Sequence, residues 1–505
     1  MDYPVEQKEW CLSKMLAPFY VPVEDVHRES GVPVHMLVDW LKASRQEAEA
    51  AGRYFKPMSV VDDQSTSTCN RLPKPNRQQL ALQDLELGLF IHFGMDTFTG
   101  EAAGNGRSAP SVFAPTDLDC RNWMETARAM GARFAVLTTR HEEGFCLWPT
   151  RTTDYSIAHS PYKGGKGDIV REFVDACHDC DIVPCFYHSS YMDAHHIFTP
   201  EDSTTWHRDW FANTRRRLAE SGAAERFTEM QAAQIRELLT GYGKVAYLWL
   251  DHIGETQGIM DPVAVGRFWE RIVAEARRWQ PECLLLGYDV GLSEDLAHGG
   301  NVHSGRAAYP LWHAVKRDVS LAGLGWPIPD PVNGSQFLTW ESNTAFSGGW
   351  FWNGDGVKSV DEMVEHYYVT VGRGAYFLPN FAPDPRGRMT DKVLAHATAF
   401  GERILAIYAQ PLATADDVGD GIELALPARP FVHVEIMEDL REGQKIGAYT
   451  IEIRRDGAWT TLVQGESVAH KRLHKVAPAQ AEAIRFRCTK SFAEPVQLRR
   501  FAVYG

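Results

Sequence analysis

Short apolar runs alternate with amphipathic stretches between residues 79 and 410 of this chain. The runs are LGLFIHFG (87–94), FAVLTTRH (134–141), IVPCFYHSS (182–190), VAYLWLD (245–251), CLLLGYD (283–289), FLTWES (337–342) and AYFLPNF (375–381). Apolar runs separated by helical patterns are typical of parallel strands joined by helices. Because no glycine-rich phosphate loop follows an early strand, the pattern favours an α/β fold with a TIM-like (β/α) barrel over a doubly wound sheet.

The pattern changes after this segment. From residue 411 to residue 505, apolar and polar residues alternate singly, and turn residues such as Asp456 and Gly457 separate the runs. This period of two predicts an antiparallel β-sandwich of the galactose-binding-like kind, placed after the barrel.

The pattern also differs before the barrel. Residues 1–58 have a helical pattern, and two short amphipathic runs within residues 23–43 resemble a helix-turn-helix, whereas the polar residues 59–78 are typical of a linker. A DNA reader needs a basic face, but residues 1–58 hold seven Lys and Arg against nine Asp and Glu. We therefore interpret them as a small helical appendage for docking or oligomerisation, and leave a homo-oligomer open.

Charge and composition narrow the class of partner. The 505 residues carry a formal net charge of −14, which argues against a nucleic-acid or membrane-surface role. No basic leader and no apolar run of about 18 residues is present in the sequence. The nine cysteines are scattered and odd in number, which fits reduced thiols. We expect a cytoplasmic protein with a small neutral partner.

Polar residues recur at the carboxyl end of each predicted strand. They are His92, His141, Tyr187, Asp251, Asp289, Glu341 and Asn380. In a (β/α) barrel these strand ends converge on one mouth. A single buried histidine there would be an ordinary core residue, but seven polar residues at matching positions predict a functional site.

Asp251 ends the most apolar predicted strand, which suits a nucleophile fixed on a rigid element. A retaining glycosidase needs two carboxyl groups about 5–5.5 Å apart, one to attack and one to protonate the leaving group. The candidates for the second group are Glu142, Glu143, Glu341, Glu101 and Asp289. Roughly half of these are expected to be surface or salt-bridged carboxylates instead.

Histidines and tryptophans could complete a sugar pocket. His92 and His141 could donate hydrogen bonds to sugar hydroxyls. Trp249, Trp350 and Trp352 could pack against an apolar sugar face, although core packing is the commoner fate of any one tryptophan.

Two sequence features resemble metal motifs but lack the rest of a site. Cys177 and Cys180 form a lone CxxC in a helical run, and His195 and His196 are adjacent rather than one helical turn apart. The sequence therefore predicts no metal and no cofactor.

Six segments of the sequence, each longer than a short motif, resemble a known family. They are LGLFIHFGMDTFTGE, FAVLTTRHEEGFCLWPTRTTDYSI, GGKGDIVREFVDAC, IRELLTGYGKVAYLWLD, GGWFWNGDGVKSVDEMVEHYY and MEDLREGQKIGAYTIEIRRDGAWTTLV. From about residue 87 to the end, the chain resembles glycoside hydrolase family 29, the retaining α-L-fucosidases, in particular the branch acting on α-1,3/4-linked fucose. The resemblance implies a barrel followed by a β-sandwich and an aspartate nucleophile matching Asp251. It also implies fucose contacts matching His92, Glu101, His141, Tyr187 and Trp350.

The chain departs from the family pattern where the sugar should lie. Glu142 stands in place of the second histidine of the family's HHDGF, and Val302 stands where the branch has its acid/base glutamate. The family's EWG becomes EAAG at 101–104, and its third-strand motif becomes YHSSY at 187–191. An aromatic wall and the usual proton donor are thus replaced.

Two interpretations follow. In the first, the chain is a retaining exo-glycosidase that removes a terminal α-L-fucose or related sugar from short oligosaccharides, with Asp251 as nucleophile and Glu142 or Glu341 as a relocated acid/base. In the second, the barrel is a catalytically impaired sugar-binding or sugar-sensing protein. Loss of general acid catalysis lowers the rate by about 10²–10⁴-fold. Whether the chain has a general acid therefore distinguishes the two interpretations.

Overall fold

The structure is a computed structural model. It describes residues 72–100, 104, 106–190, 192–197, 214, 216–251, 262–287, 295–301, 312–318, 326–332, 334–354 and 356–505, with short stretches between residues 3 and 43. Three residues singled out from the sequence, Glu101, Asp289 and Val302, lie outside the described residues, as does most of the predicted linker.

Eight parallel strands form a closed barrel, which confirms the predicted TIM-like architecture. They are β1 (Gly88–Ile91), β2 (Phe134–Arg140), β3 (Val183–Ser189), β4 (Tyr247–Asp251), β5 (Leu284–Gly287), β6 (Leu296–Asn301), β10 (Thr339–Ala345) and β11 (Tyr376–Asn380). Going round the barrel, the order is β1-β11-β10-β6-β5-β4-β3-β2. All eight carboxyl ends therefore meet at one mouth.

The sequence pattern missed one barrel strand and misplaced another. Strand β6 has the sequence LAHGGN, with only two apolar residues, and it is defined by its pairing with β5 and β10. The predicted strand 337–342 is wrong in its bounds, because β10 runs to Ala345 and residues 336 and 337 belong to a different sheet. Glu341 is consequently the third residue of β10 and does not end a strand.

Helices surround the barrel, and several of them begin at side-chain caps. The helices are α1 (Arg77–Gln83), α2 (Asp96–Thr99), α3 (Cys120–Ala129), α4 (Ile169–Asp179), α5 (Ala194–Ile197), α6 (Ala223–Gly241), α7 (Pro262–Trp279), α8 (Val360–Val369) and α9 (Asp391–Tyr408). Asp119 and Asp168 accept hydrogen bonds from the first turns of α3 and α4, and Ser359 and Glu362 form a capping box on α8. Such caps satisfy amide groups that the helix itself leaves unbonded.

Helix α1 contributes to the interior of the barrel. Leu82 belongs to the same apolar cluster as Phe134, Tyr247 and Tyr376, which lie at the amino ends of β2, β4 and β11. Because α1 begins at Arg77, the last two residues of the predicted linker are helical. Leu82 packs at the end of the barrel opposite the mouth, which leaves the mouth as the open end.

A small antiparallel sheet and a β-sandwich complete the fold. The small sheet contains β7 (Ala314–Asp318), β8 (Trp326–Pro329) and β9 (Gln336–Phe337). The sandwich strands are β12 (Ala413–Gly419), β13 (Glu423–Ala425), β14 (Phe431–Glu438), β15 (Ile446–Arg455), β16 (Ala458–Glu466), β17 (Arg472–Ala479), β18 (Ala483–Ser491) and β19 (Gln497–Tyr504). They form two four-stranded sheets, β12-β19-β14-β17 and β13-β18-β15-β16, around one apolar core, as the sequence predicted.

The described part of the N-terminal segment is small. Four of its residues form a buried apolar cluster: Cys11, Val26, Val32 and Leu37. Residues 26–27, 30, 35–37 and 39–40 are helical, in keeping with the predicted helical appendage. Among the described helices, none has the length and apolar character needed to cross a membrane.

A buried ion-pair cluster joins the sandwich to the barrel. The Lys471 ammonium lies 2.6 Å from a carboxylate oxygen of Glu86, just before β1, and 3.2 Å from one of Glu435 on β14. Burial of Glu86 opposes its ionisation, but Lys471 and His470 together outweigh that effect and lower the pKa of Glu86 from 4.5 to about 2. One ammonium therefore neutralises a carboxylate of each domain.

We predict that Lys471→Met destabilises the protein by about 3 kcal/mol, because it removes the ammonium shared by Glu86 and Glu435 and leaves only His470 beside the first and Arg500 beside the second. The free energy of unfolding is measured by urea denaturation at neutral pH. Since the pKa of Glu86 is lowered in the folded state, the stabilisation is present above pH 4.5 and is lost as the pH falls through about 2. The loss of stability caused by Lys471→Met should become smaller over the same pH interval.

The matched control is Lys475→Met. Lys475 lies 3.3 Å from Glu365, and both side chains are about two-thirds exposed, so its replacement should cost no more than about 1 kcal/mol. Equal costs for the two substitutions would contradict the role given to Lys471.

Candidate active site

A carboxylate and a tyrosine are held together at the barrel mouth. Asp251 is the last residue of β4, and the Tyr187 hydroxyl on β3 donates a hydrogen bond of 2.5 Å to its Oδ2 atom. Burial, and then the charge of Asp251, raise the pKa of Tyr187 well above its usual range. The tyrosine therefore stays protonated and remains a donor to the carboxylate at neutral pH.

His92 follows β1 and has a defined tautomer. Its Nδ1 atom lies 2.8 Å from Oδ1 of Asn380, while the Asn380 amide nitrogen donates to the carbonyl groups of Gly349 and Trp350. Asn380 Oδ1 is thus an acceptor, so His92 Nδ1 carries the proton. Burial and the nearby His141 lower the pKa of His92 well below its usual range. The neutral ring leaves Nε2 as a hydrogen-bond acceptor.

Aromatic rings line the mouth around these two groups. The Trp350 ring lies 5.1 Å from that of His92, and the Phe351 ring makes edge contacts with both His92 and His141. The His141 ring stacks on Tyr187 at 5.6 Å. Trp350 is half-buried, and a cavity of about 460 Å³ opens beside it, lined by residues 345–350 and 356–358. Such a wall suits the apolar face of a sugar ring.

Two glutamates on the loop after β2 point to the same region. Glu142 and Glu143 are both buried, and their carbonyl groups accept hydrogen bonds from the amides of Ala194 and His195. The charge of Glu142, like that of Asp251, raises the pKa of Tyr187. The loop therefore brings a second carboxyl group to the mouth that holds the candidate nucleophile.

Asp96, His141 and Glu143 form a compact cluster beside the mouth. The His141 Nδ1 atom lies 3.5 Å from an Asp96 oxygen and 3.7 Å from a Glu143 oxygen. The Gly104 amide donates to the other Asp96 oxygen at 3.0 Å. Burial, and then the charge of Asp96, raise the pKa of Glu143 well above its usual range. These three side chains offer atoms of the kinds that bind metal ions.

A fully buried ion pair supports the loop that carries these residues. Arg140 lies 3.0 Å from Asp193, which also accepts a hydrogen bond from the His196 ring, and neither Arg140 nor Asp193 is exposed to solvent. Gly144 has a φ of +95°, and a Cβ atom there would lie 2.4 Å from Asp193 Oδ1. The loop can approach Asp193 closely only because residue 144 is glycine.

The residues of the two metal-like motifs have other roles. His196 binds Asp193, and the His195 ring stacks on Tyr155 at 4.1 Å and contacts the Gly106 carbonyl oxygen. Cys177 and Cys180 lie buried in and just after α4 as free thiols. The sequence does not reveal the cluster of Asp96, His141 and Glu143, because Asp96 follows a different strand from the other two residues.

Glu341 and Trp249 lie below the mouth, whereas the sequence predicted them at the mouth. Glu341 pairs in register with Tyr376 at the start of β11, four residues before its end. Its carboxylate accepts hydrogen bonds from Trp249 (2.9 Å), Asn343 (3.1 Å) and Tyr247 (3.2 Å). The prediction of Glu341 as an acid at a strand end is therefore corrected: Glu341 is a buried hydrogen-bond acceptor. Trp249, which was predicted to contact the sugar, is a core ring that donates to Glu341.

The structure thus brings together most of the predicted site. The predicted residues that meet at the mouth are Asp251, Glu142, His92, His141, Tyr187 and Trp350. Phe351 and Asp96 complete the surroundings and were not singled out from the sequence. Their position in loops that follow barrel strands was the available signal, because such loops build the mouth.

Barrel, site and sandwich together define the class of this protein: it is a glycoside hydrolase. The family model described as Alpha-L-fucosidase matches residues 105–406, and the chain belongs to this family. Alpha-L-fucosidase 1 of Arabidopsis thaliana is 27% identical over 447 residues, which cover 80% of this chain and 82% of that protein.

Solved structures show the same relationship. A glycoside hydrolase 29 family member from an unknown rumen bacterium is 27% identical, with a TM-score of 0.70, over 86% of this chain and 77% of that chain. A Ruminococcus gnavus GH29 fucosidase in complex with fucose is 22% identical, with a TM-score of 0.70, over 87% of this chain and 97% of that chain, and shares the fold.

We predict that Tyr187→Phe lowers kcat/KM for an aryl α-L-fucoside by roughly 10–100-fold, because it removes a hydrogen bond to a charged group worth about 1.5–3 kcal/mol. The control is Tyr242→Phe, which removes a hydrogen bond of 2.9 Å from a tyrosine hydroxyl to the Asp168 carboxylate at the start of α4 and should change the rate less than about threefold. Steady-state kinetics of both variants measure the effect, and equal losses would show that general packing is responsible.

Proposed function

We propose that this protein is a retaining exo-glycosidase that removes a terminal α-L-fucose or a closely related sugar from short oligosaccharides. The observation that carries the proposal is the Asp251 carboxylate, held at the end of β4 by the Tyr187 hydroxyl at 2.5 Å and surrounded by polar and aromatic groups. Membership of the α-L-fucosidase family supports the same class of substrate.

Asp251 is the nucleophile in this proposal. A nucleophilic carboxylate must be fixed in position before it attacks, and both the rigid strand and the tyrosine hydroxyl limit its freedom. Attack of Asp251 on the anomeric carbon forms a covalent glycosyl-enzyme while the glycosidic oxygen leaves. Water then attacks the same carbon and releases both sugar and carboxylate, with net retention of configuration.

Glu142 is the acid/base. Its backbone carbonyl accepts a hydrogen bond from the amide of Ala194 at 2.9 Å, and its charge raises the pKa of Tyr187, the donor to Asp251. Glu341 is not a second choice, because three donors engage its carboxylate inside the barrel. In the first step Glu142 gives a proton to the leaving oxygen, and in the second it takes one from water.

The groups around these carboxylates select the sugar. The neutral His92 offers Nε2 as an acceptor for a sugar hydroxyl, and Trp350 offers a half-exposed face. Glu142 presents an acid where the family has a neutral histidine, so a pyranose with a different polar substituent also fits this proposal. We further propose a cytoplasmic location, supported by the eight described cysteines, which are all free.

We predict that Asp251→Ala lowers hydrolysis by at least roughly 10³-fold, as loss of a group that forms the covalent intermediate does elsewhere. Hydrolysis of 4-nitrophenyl α-L-fucoside is measured beside a panel of other aryl glycosides. Added azide should restore product formation in the variant, and the product should be a glycosyl azide of inverted configuration. Activity of Asp251→Ala equal to that of the wild type would exclude this nucleophile.

The glycoside panel also tests the competing function. If the wild type turns over no glycoside but binds one of the sugars in a calorimetric titration, the barrel acts as a sugar-binding protein. If one glycoside is hydrolysed, its sugar identifies the substrate, and the configuration of the first product, read by NMR, distinguishes retention from inversion.

We predict that Glu142→Gln lowers kcat/KM by about 10²–10⁴ for substrates with poor leaving groups, which need a proton donor. For a glycosyl fluoride, whose leaving group needs little help, the first step should be affected far less. Glu125→Gln, an exposed carboxylate on α3, is the matched control and should leave both rates unchanged. Full activity of Glu142→Gln on both substrates would remove Glu142 as the acid.

A further inference from the structure

We propose that Asp96, His141 and Glu143 form a binding site for one divalent transition-metal ion, best fitted by Zn²⁺, beside the candidate sugar pocket. This goes beyond the proposed glycosidase function, which requires no metal. The inference rests on the positions of the three side chains and on the lack of hydrogen-bond partners at two of them.

The spacing of the three side chains suits a small cation. One ligand atom from each residue lies within 4.8 Å of the other two, and the His141 nitrogen is 3.5 Å and 3.7 Å from the two carboxylate oxygens. Zinc binds nitrogen and oxygen at about 2.0–2.2 Å, which places tetrahedral ligands roughly 3.4 Å apart. A small inward movement of the side chains would therefore complete the coordination.

Two of the three side chains, His141 and Glu143, have buried polar atoms without hydrogen bonds. Neither Nδ1 of His141 nor either carboxylate oxygen of Glu143 has a hydrogen-bond partner. His141 is 8% exposed and Glu143 is 1% exposed, so water does not replace those bonds freely. Buried polar groups are normally satisfied, and buried charges are normally paired or bound to metals. A cation would satisfy all three atoms at once.

The cluster is held in place by the backbone around it. The Gly104 amide fixes one oxygen of Asp96 and leaves Oδ2 as the oxygen nearest His141. A Cβ atom on Gly104 would lie 2.6 Å from Asp96 Oδ1, so this close approach requires glycine. The Glu143 carbonyl is held by the His195 amide at 3.2 Å. Outer contacts of this kind orient the ligands of metal sites.

The chemistry of the three ligands favours zinc over calcium. Imidazole with carboxylates is a ligand set typical of zinc, whereas calcium takes six to eight oxygen ligands. Three protein ligands would leave a fourth position for water or a sugar hydroxyl. Metal binding at Nδ1 of His141 would also keep its Nε2 protonated, which makes the ring a hydrogen-bond donor beside Tyr187.

The test is a calorimetric titration of the chelator-treated, full-length protein with ZnCl₂, together with metal analysis after gel filtration. The wild type should bind one Zn²⁺ per chain, and CaCl₂ should bind far more weakly. Glu143→Gln and Asp96→Asn keep the shape of the side chains but remove a ligand charge. Each should weaken Zn²⁺ binding by more than the roughly 10–100-fold that loss of an outer contact costs.

Asp251→Asn is the matched control, because it changes a neighbouring carboxylate outside the cluster. It should bind Zn²⁺ as the wild type does while losing hydrolysis, so the metal site and the proposed function can fail separately. Circular dichroism establishes which variants are folded. The Zn²⁺ affinity of whichever of Glu143→Gln and Asp96→Asn is folded then decides whether the cluster binds the metal. The proposal is overturned if the wild type has no saturable Zn²⁺ site, or if both folded cluster variants bind Zn²⁺ unchanged.

Discussion

The position of the candidate nucleophile depends on a carboxylate buried inside the barrel. Glu341 accepts hydrogen bonds from Tyr247 and Trp249, which ties β10 to β4 across the interior. The Trp249 ring stacks on Tyr187 at 5.2 Å, and the Tyr187 hydroxyl reaches Asp251. A buried carboxylate that lost its donors would be costly, so these contacts hold one arrangement of the interior. The position of Asp251 follows from that arrangement.

The carboxyl groups of the mouth differ in their surroundings. Asp251 lies partly exposed at the end of a strand, with a tyrosine hydroxyl donating to it. Glu143 is buried next to Asp96, and both burial and that neighbouring charge raise its pKa. Enzymes that separate the tasks of acid, base and nucleophile do so by such differences in environment. In this protein the difference comes from two loops and one strand end that meet at the same mouth.

The loop after β2 meets two structural requirements. It must present His141, Glu142 and Glu143 to the mouth, and it must pack on the buried Arg140–Asp193 pair. The positive φ of Gly144 lets the chain turn away directly after Glu143. Glu142 therefore lies in a loop whose backbone is determined by packing, so the side chain at this position sets the chemistry of the mouth and not the fold.

Periodicity alone determined the order of the domains, the parallel barrel, the sandwich and most strand ends, because apolar runs and single alternation report burial directly. It could not show β6, since LAHGGN has only two apolar residues and forms a strand through its pairing with β5 and β10. Nor could it show that Glu341 and Trp249 face each other below the mouth. Depth in a barrel depends on the register between strands far apart in the chain, and the grouping of Asp96 with Glu143 depends on two separate loops. Only the closed tertiary structure decides both.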